Sequence, residues 1–429
     1  MRKIKLALHW QMGIALLLGV ACGIIFADSY CIWYNAVKGL GQIFLRAINM
    51  IVIPLVFLST VLGISTMKDS KNMGGIALKT FAYFVITALI AAVVGLVITN
   101  LLRPGYGTHY ADTSIGTSMC GGSIATADDV LNSAECDASL TFMDKLVSII
   151  PDNIFGAFSR GDILPIIFFS ILLGYFITKV NDTRQNIINS TFESFNDVVM
   201  NLTKFIIRFA PLGVFAIVME LVGKQAGDFN TLKESVMSFA FFVIVVWISL
   251  LLMGGVILPL MVGLMAKVSP LQHLKQIYSA LLIAFSTSSS YSALPLIIND
   301  SKNKIGVSNN VASFTIPLGI TFNKVGTIIY ECAAVIFVAQ AVGLDLTIMQ
   351  QVSLIGASIV TVLGAPSVPM AGVVVLAILL NTMGLPTIYI GMFMAIDILC
   401  DMPKTLLNAY SVSCSAIIVA RYEGESLKI

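Results

Sequence analysis

The sequence predicts an all-α polytopic membrane protein with two re-entrant helical hairpins in its C-terminal half, and three observations carry that reading. Of 429 residues, 57% are hydrophobic and only 11% charged, whereas a soluble domain carries about 25% charged residues. Apolar runs such as Trp10–Phe26, Phe81–Leu102 and Phe241–Leu264 are almost free of charge, and a bilayer core takes roughly 20 apolar residues per helix. From about residue 270 the texture changes: apolar stretches shorten, clusters of Ser, Gly, Pro and Asn interrupt them, and charged residues enter them. A closed β-barrel, the other fold that satisfies its backbone within lipid, shows period-two alternation instead of unbroken apolar runs.

In chain order, helical regions are expected near residues 8–27, 38–66, 77–102, 141–180, 195–222 and 234–267. The basic start Met1–Lys5 precedes an apolar stretch that is long and has no clear small-residue cleavage site, so it reads as a retained first span and not a secretion signal. Lys and Arg at the N-terminus and in Lys68–Lys79 predict a cytoplasmic side for both segments. The loop Pro104–Ala138 carries Asp112, Asp128, Asp129, Glu135 and Asp137 with no Lys or Arg, and is expected outside. A net charge of +2 with no basic run gives no nucleic-acid patch. The cysteines show no metal-ligand spacing; Cys22, Cys31, Cys332, Cys400 and Cys414 lie in or beside apolar segments as small packing residues. Cys120 and Cys136 share the outward loop, where a disulfide and two free thiols both stay open.

Two later segments read as paired hairpins. Leu274–Ile298 is interrupted by STSSSYSALP, whose five serines, threonine and proline disrupt a lipid-facing helix; Val352–Leu380 is interrupted by GAPSVPMAG. Each precedes a long span, Phe314–Val342 and Tyr389–Val419, so that hairpin and span alternate as an internal repeat. Interrupted segments in corresponding positions point to a transporter's binding site. The first of these spans is itself weakened across Ile316–Thr327 by Pro317, Gly319 and Gly326, and freed carbonyls inside a membrane must find partners. In the second, Asp397, Asp401, Lys404 and Asn408 follow at intervals of four, three and four residues, which places all four on one helix face. A charge at the bilayer centre costs at least ~2.5–3.5 kcal/mol on insertion scales, so these residues need partners or water and mark a pathway. Lys324 and Glu331 add another cation and another carboxylate to the broken span. A salt-bridged cluster that only fixes packing remains the plainer alternative for these charges.

With TSSSYSALP (Thr287–Pro295), PLGITFNKVGT (Pro317–Thr327), GAPSVPMAG (Gly364–Gly372) and DILCDMPKTLLN (Asp397–Asn408) in place, the chain resembles the dicarboxylate/amino acid:cation symporter family, which includes the glutamate transporters, over essentially its whole length. The resemblance implies eight transmembrane helices plus the two hairpins with inverted repeats, in a homotrimer of the cell inner (plasma) membrane. It implies a scaffold of approximately 1–76 and 141–222, a mobile transport domain of approximately 77–103 and 234–429 that slides in an elevator motion, and an outer loop at 104–140. By the same resemblance the substrate, a small acidic amino acid such as aspartate or glutamate, would meet Thr327 at its side-chain group, Asp401 and Thr405 at its amino group, Asn408 at its α-carboxylate, and Ser289 and Ser290 at the first hairpin. Ala365, Pro366, Ser367, Val368 and Pro369 would form the gate. Lys404 stands where acidic-substrate members have arginine, and a lysine keeps the charge while losing the bidentate fork.

The ion sites depart from the family pattern. Its Asn-Met-Asp-Gly-Thr signature stands here as Asn323-Lys324-Val325-Gly326-Thr327; Phe84 and Ala88 replace hydroxyl residues, leaving Thr87; Val412 replaces an aspartate. Of the implied ligand set Gly319, Asn323 and Thr87 remain. Hard cations need oxygen ligands, so sodium is not expected at the usual sites, no other metal or cofactor is expected, and Lys324, with Asp397 as its partner, is expected to substitute for the ion's charge. Glu331 lies where proton-coupled members carry a glutamate and is the candidate proton carrier. A sodium-coupled symporter of neutral amino acids or dicarboxylates with a rebuilt ion site is the alternative. An intramembrane enzyme finds no support, since no Gly-x-Ser-x-Gly or His-Glu-x-x-His motif accompanies the serines; a passive anion channel would show conductance far above carrier turnover.

Overall fold

The computed structural model describes residues 8–25, 32–65, 74–106, 150–160, 163–225, 229–364, 371–386 and 389–428, and among them there is no strand. The first seven helices are α1 (Leu8–Ile25), α2 (Ile32–Ser65), α3 (Gly74–Leu102), α4 (Ile154–Arg160), α5 (Ile163–Ile177), α6 (Asp182–Ile207) and α7 (Ala210–Gln225). Helix α8 (Phe229–Leu252) is prolonged to Ala266 through two wide π turns, Met253–Ile257 and Val262–Ala266. There follow α9 (Pro270–Thr287), α10 (Ser290–Asp300), α11 (Asn309–Phe322), α12 (Val325–Ala341), α13 (Ile348–Gly364), α14 (Ala371–Thr382) and α15 (Ile390–Tyr422).

Among the described residues, three stretches are long and apolar enough to cross a bilayer: Gly75–Leu102, Val236–Ala266 and Asn309–Ala341. Their burial differs in a way that orders the bundle. The most apolar window of Val236–Ala266 is 39% buried, whereas that of Asn309–Ala341 is 94% buried. The first therefore keeps a broad outer face, and the second is sheathed by other helices.

The helices pack in two groups. α1 lies along α7, and α2 packs against α5, α6 and α7 over a small core that includes Phe44, Ile51, Ile206, Val214 and Val218. The larger group surrounds α12 and α15 with α3, α8, α9, α11, α13 and α14. Phe242, Tyr330, Phe337 and Phe393, all fully buried, meet mostly edge to face at its centre, and burying each such ring is worth roughly 1.5–3 kcal/mol.

Several expected boundaries move. The region expected over 195–222 is two helices, with α6 starting at Asp182 and a break at Arg208 and Phe209. Pro211 at the start of α7 causes it: its ring would strike the carbonyl of Ile207, and it has no N–H to continue the ladder. In the region expected over 141–180, described helix begins only at Ile154. The broken span does not break at its proline. α11 runs through Pro317 and ends at Phe322, and only Asn323 (φ −90°, ψ 80°) and Lys324 (φ −109°, ψ 56°) leave helical geometry before α12 starts at Val325. α15 likewise continues through Pro403.

The first hairpin is α9 and α10, turning at Ser288 (φ 49°, left-handed) and Ser289 (φ −141°, extended). The arms of the second are α13 and α14. Its expected gate residues, Ala365, Pro366, Ser367, Val368 and Pro369, lie outside the described residues, as do Cys31, Cys120 and Cys136. The end of α15 is pinned to α3 by Lys79 and Glu423 (2.7 Å).

Candidate transport site

The polar residues of the C-terminal half gather where α12 and α15 face each other. They form two levels one helical turn apart, because Thr327 and Glu331 on one helix, and Asn408 and Lys404 on the other, are each four residues apart.

The first level is the break itself. The Asn323 backbone N–H donates to the Gly319 carbonyl at 2.7 Å. Its side-chain amide donates to Ser411 Oγ at 2.9 Å, and its Oδ1 lies 3.3 Å from the Thr87 hydroxyl. These bonds tie Asn323 to α3 and α15 at the point where the helix stops, six residues beyond Pro317. Asn408 spans the gap to α12: its Oδ1 accepts from the Gly326 N–H at 2.7 Å, and its amide donates to Thr327 Oγ1 at 3.3 Å. Only glycine fits at 326, since a Cβ there would fall 2.5 Å from the Lys404 carbonyl oxygen. Thr405 is buried beside this contact, and Lys324 is buried at the start of α12.

The second level is charged. The Lys404 ammonium forms a short ion pair with Asp397 and lies 3.7 Å from Asp401 Oδ1. It also sits 3.9 Å above the centre of the Tyr330 ring, where cation–π attraction is strongest once water is excluded. Neither carboxylate oxygen of Glu331, fully buried, has a hydrogen-bond partner. Three of these ends converge on Gly372 of α14: a Cβ there would meet Glu331 Oε1 at 3.0 Å, Lys404 Nζ at 3.4 Å and Asp397 Oδ1 at 3.9 Å. The second hairpin therefore closes over the cluster through a residue without a side chain. The two aspartates differ in access, the Asp401 side chain being 24% exposed and that of Asp397 3%.

The structure thus brings together Asp397, Asp401, Lys404 and Glu331 at one level, and Thr87, Gly319, Asn323, Thr327 and Asn408 at the other. The partner of Asp397 is Lys404 and not the expected Lys324. At the first hairpin, Ser290 is buried at the start of α10, and Ser289 provides extended backbone, but the side chain set against the Asp401 carboxylate is that of Ser288. Sequence reasoning missed Ser288, Tyr330, Gly372 and Ser411. The first and third lie within quoted motifs, and Tyr330 adjoins Glu331. A further omission is His273 on α9, fully buried, stacked on Tyr410 and bonded through Nε2 to Ser413 Oγ at 2.8 Å; nothing in its local sequence signals that contact.

A helical bundle with a broken, protein-sheathed span and a buried cluster of charges is a membrane transporter by architecture. Residues 8–422 match the Sodium:dicarboxylate symporter family, and the chain belongs to that family. It is 35% identical over 430 residues to the proton/sodium-glutamate symport protein of Bacillus caldotenax, covering 99% of this chain and 96% of that one. It is 30% identical to the proton/glutamate-aspartate symporter of Escherichia coli (strain K12), covering 99% and 94%. It is also 30% identical to the C4-dicarboxylate transport protein of Deinococcus radiodurans, covering 99% and 91%. The expected class, a helical multi-pass membrane transporter of this family, is what the fold and these similarities show.

Proposed function

We propose that the protein is a secondary carrier that moves a small acidic amino acid, aspartate or glutamate, together with protons, working as an elevator-type homotrimer. The observation that carries the reading is the imbalance of charge at Gly372. Three carboxyl groups, Asp397, Asp401 and Glu331, surround one ammonium, Lys404. Ionised together they would leave net negative charge in a water-poor interior, which is costly. A substrate amino group at Asp401, the more accessible aspartate, and a proton in the cluster both relieve it. The start of α10 at Ser290, two residues from Ser288, sets a helix N-terminus near Asp401, and such an end favours the carboxylate of an incoming amino acid. The named relatives for glutamate, aspartate and C4-dicarboxylates support the acidic substrate.

A second reading rests on one specific contact. Because Asp397 and Asp401 already share Lys404, its ammonium is less available to a substrate's second carboxylate, which favours a neutral amino acid. Counterflow in proteoliposomes separates the two: labelled aspartate is drawn into vesicles preloaded with aspartate or glutamate, and an inward proton gradient accelerates net uptake. Accumulation of labelled alanine or serine in place of the acidic amino acids would establish the second reading. Conversion of labelled substrate to product, without its translocation intact, would defeat both.

A further inference from the structure

We infer that the helix break between α11 and α12 is closed by the protein's own side chains and holds no sodium ion, so that the folded protein gains nothing from sodium. The family's description and some of its named members imply such an ion. The inference concerns the cation alone and stands whichever substrate is carried.

A hard cation needs several oxygen lone pairs directed at one point. At this break each oxygen that remains of the implied set already has a protein partner. The Gly319 carbonyl accepts the Asn323 N–H at 2.7 Å. Asn323 Oδ1 lies against Thr87 Oγ1, and Asn408 Oδ1 accepts the Gly326 N–H at 2.7 Å. An ion site without its ion would leave buried oxygens unpaired and converging. Among the described residues, the buried side-chain oxygens without a partner include both of Glu331 but none of Thr87, Asn323, Asn408 or Ser411.

Space tells the same way. Val325 and Val412, which stand where the resemblance implies carboxylates, are fully buried. The two γ-methyls of Val412 lie 2.9 and 3.0 Å from where a Cβ on Gly319 would stand, and Phe84 Cζ lies at 3.4 Å. The aromatic packing continues from Phe84 to Phe81 and on to Phe322 at 6.0 and 6.1 Å between ring centres. The volume on the Cβ side of Gly319 is therefore filled by hydrocarbon, and desolvating a cation there would go unrepaid. The hydrogen bonds from Thr87 through Asn323 to Ser411, and from the Gly326 N–H to Asn408, hold the break in shape without it.

The test is a melting experiment on the purified full-length protein, read without any transport. Sodium chloride is titrated against choline chloride at matched ionic strength, with lithium and potassium as further arms. A ligand that binds only the folded state raises the melting temperature with concentration; here the sodium and choline curves coincide. A sodium-specific rise of more than about 2 °C at 100 times a millimolar dissociation constant overturns the inference. A second arm restores the missing oxygens and volume with Val325→Asp and Val412→Asp, together with Lys324→Met. Where this triple variant folds, it gains the sodium-specific rise the parent lacks. A folded triple variant that stays indifferent to sodium overturns the assignment of the exclusion to these side chains. Should the triple variant fail to fold, the parent titration decides alone.

Discussion

The break at Asn323 and the cluster at Gly372 both adjoin α12 and α15, yet they solve the problem of buried polarity in opposite ways. At the break the side-chain oxygens of Thr87, Asn323, Asn408 and Ser411 all have protein partners, and hydrocarbon packs beside them. At the cluster one ammonium serves two aspartates, and a third carboxyl has no hydrogen-bond partner. A satisfied network fixes shape, whereas an unsatisfied one retains the capacity to bind something. The difference assigns structure to the first level and chemistry to the second, and substitutions at each should fail differently.

The largest effect is expected at Lys404. Lys404→Met leaves Asp397 and Asp401 without their ammonium, and removing one partner of a buried ion pair costs about 3–5 kcal/mol. Melting should fall steeply and counterflow should disappear. Adding Asp397→Asn to Lys404→Met should recover most of the stability while transport stays lost. Recovery of both would show that the cluster only fixes packing. Lys404→Arg keeps the charge and the fold, and should shift the competition between aspartate and neutral amino acids, because the fork can engage a carboxylate with two parallel bonds.

Next comes the hydrocarbon plug. Gly319→Ala places a methyl about 3 Å from the Val412 methyls, and such overpacking typically costs 1–3 kcal/mol. Pairing it with Val412→Ala should return most of that loss. The cycle should therefore show coupling of at least about 1 kcal/mol between positions in contact. Additive losses would mean that the two residues do not share the space. Asn408→Ala should cost about 1–3 kcal/mol by leaving the Gly326 N–H unpaired. Asn408→Asp keeps the acceptor but adds a buried carboxyl group near three others, and should cost at least as much by the same melting measurement.

This contrast was only half legible in the sequence. The four-three-four spacing placed Asp397, Asp401, Lys404 and Asn408 on one face because helix periodicity is local. The hairpin arms were legible because serine and proline interrupt an apolar run over a few residues. Pairing across helices was not, since it depends on tertiary approach. Lys324 was matched to Asp397 although Lys404, seven residues further along α15, holds that carboxylate. The break is expected from Pro317 and the glycines, yet a buried helix absorbs one missing N–H, and α11 continues to Phe322 before it stops at Asn323. Gly372 carried no chemical signal, because its role is to let Glu331, Lys404 and Asp397 approach where any Cβ would intrude.

The smallest effect on stability is expected at the residue with the largest consequence for coupling. Glu331→Gln changes neither the size nor the shape of a side chain whose oxygens make no hydrogen bond, so the change in stability should not exceed the roughly 1 kcal/mol typical of a point substitution. The amide keeps its place beside Gly372 and Lys404 but has no proton to give or take. Exchange of labelled aspartate at equal pH on both sides should therefore persist, while the acceleration by an imposed proton gradient should vanish. A variant that still responds to the gradient like its parent would place the transported proton on Asp397 or Asp401 instead. A variant that melts several degrees lower would make Glu331 a structural partner of Lys404 after all, and the division of labour between the two levels would fall with it.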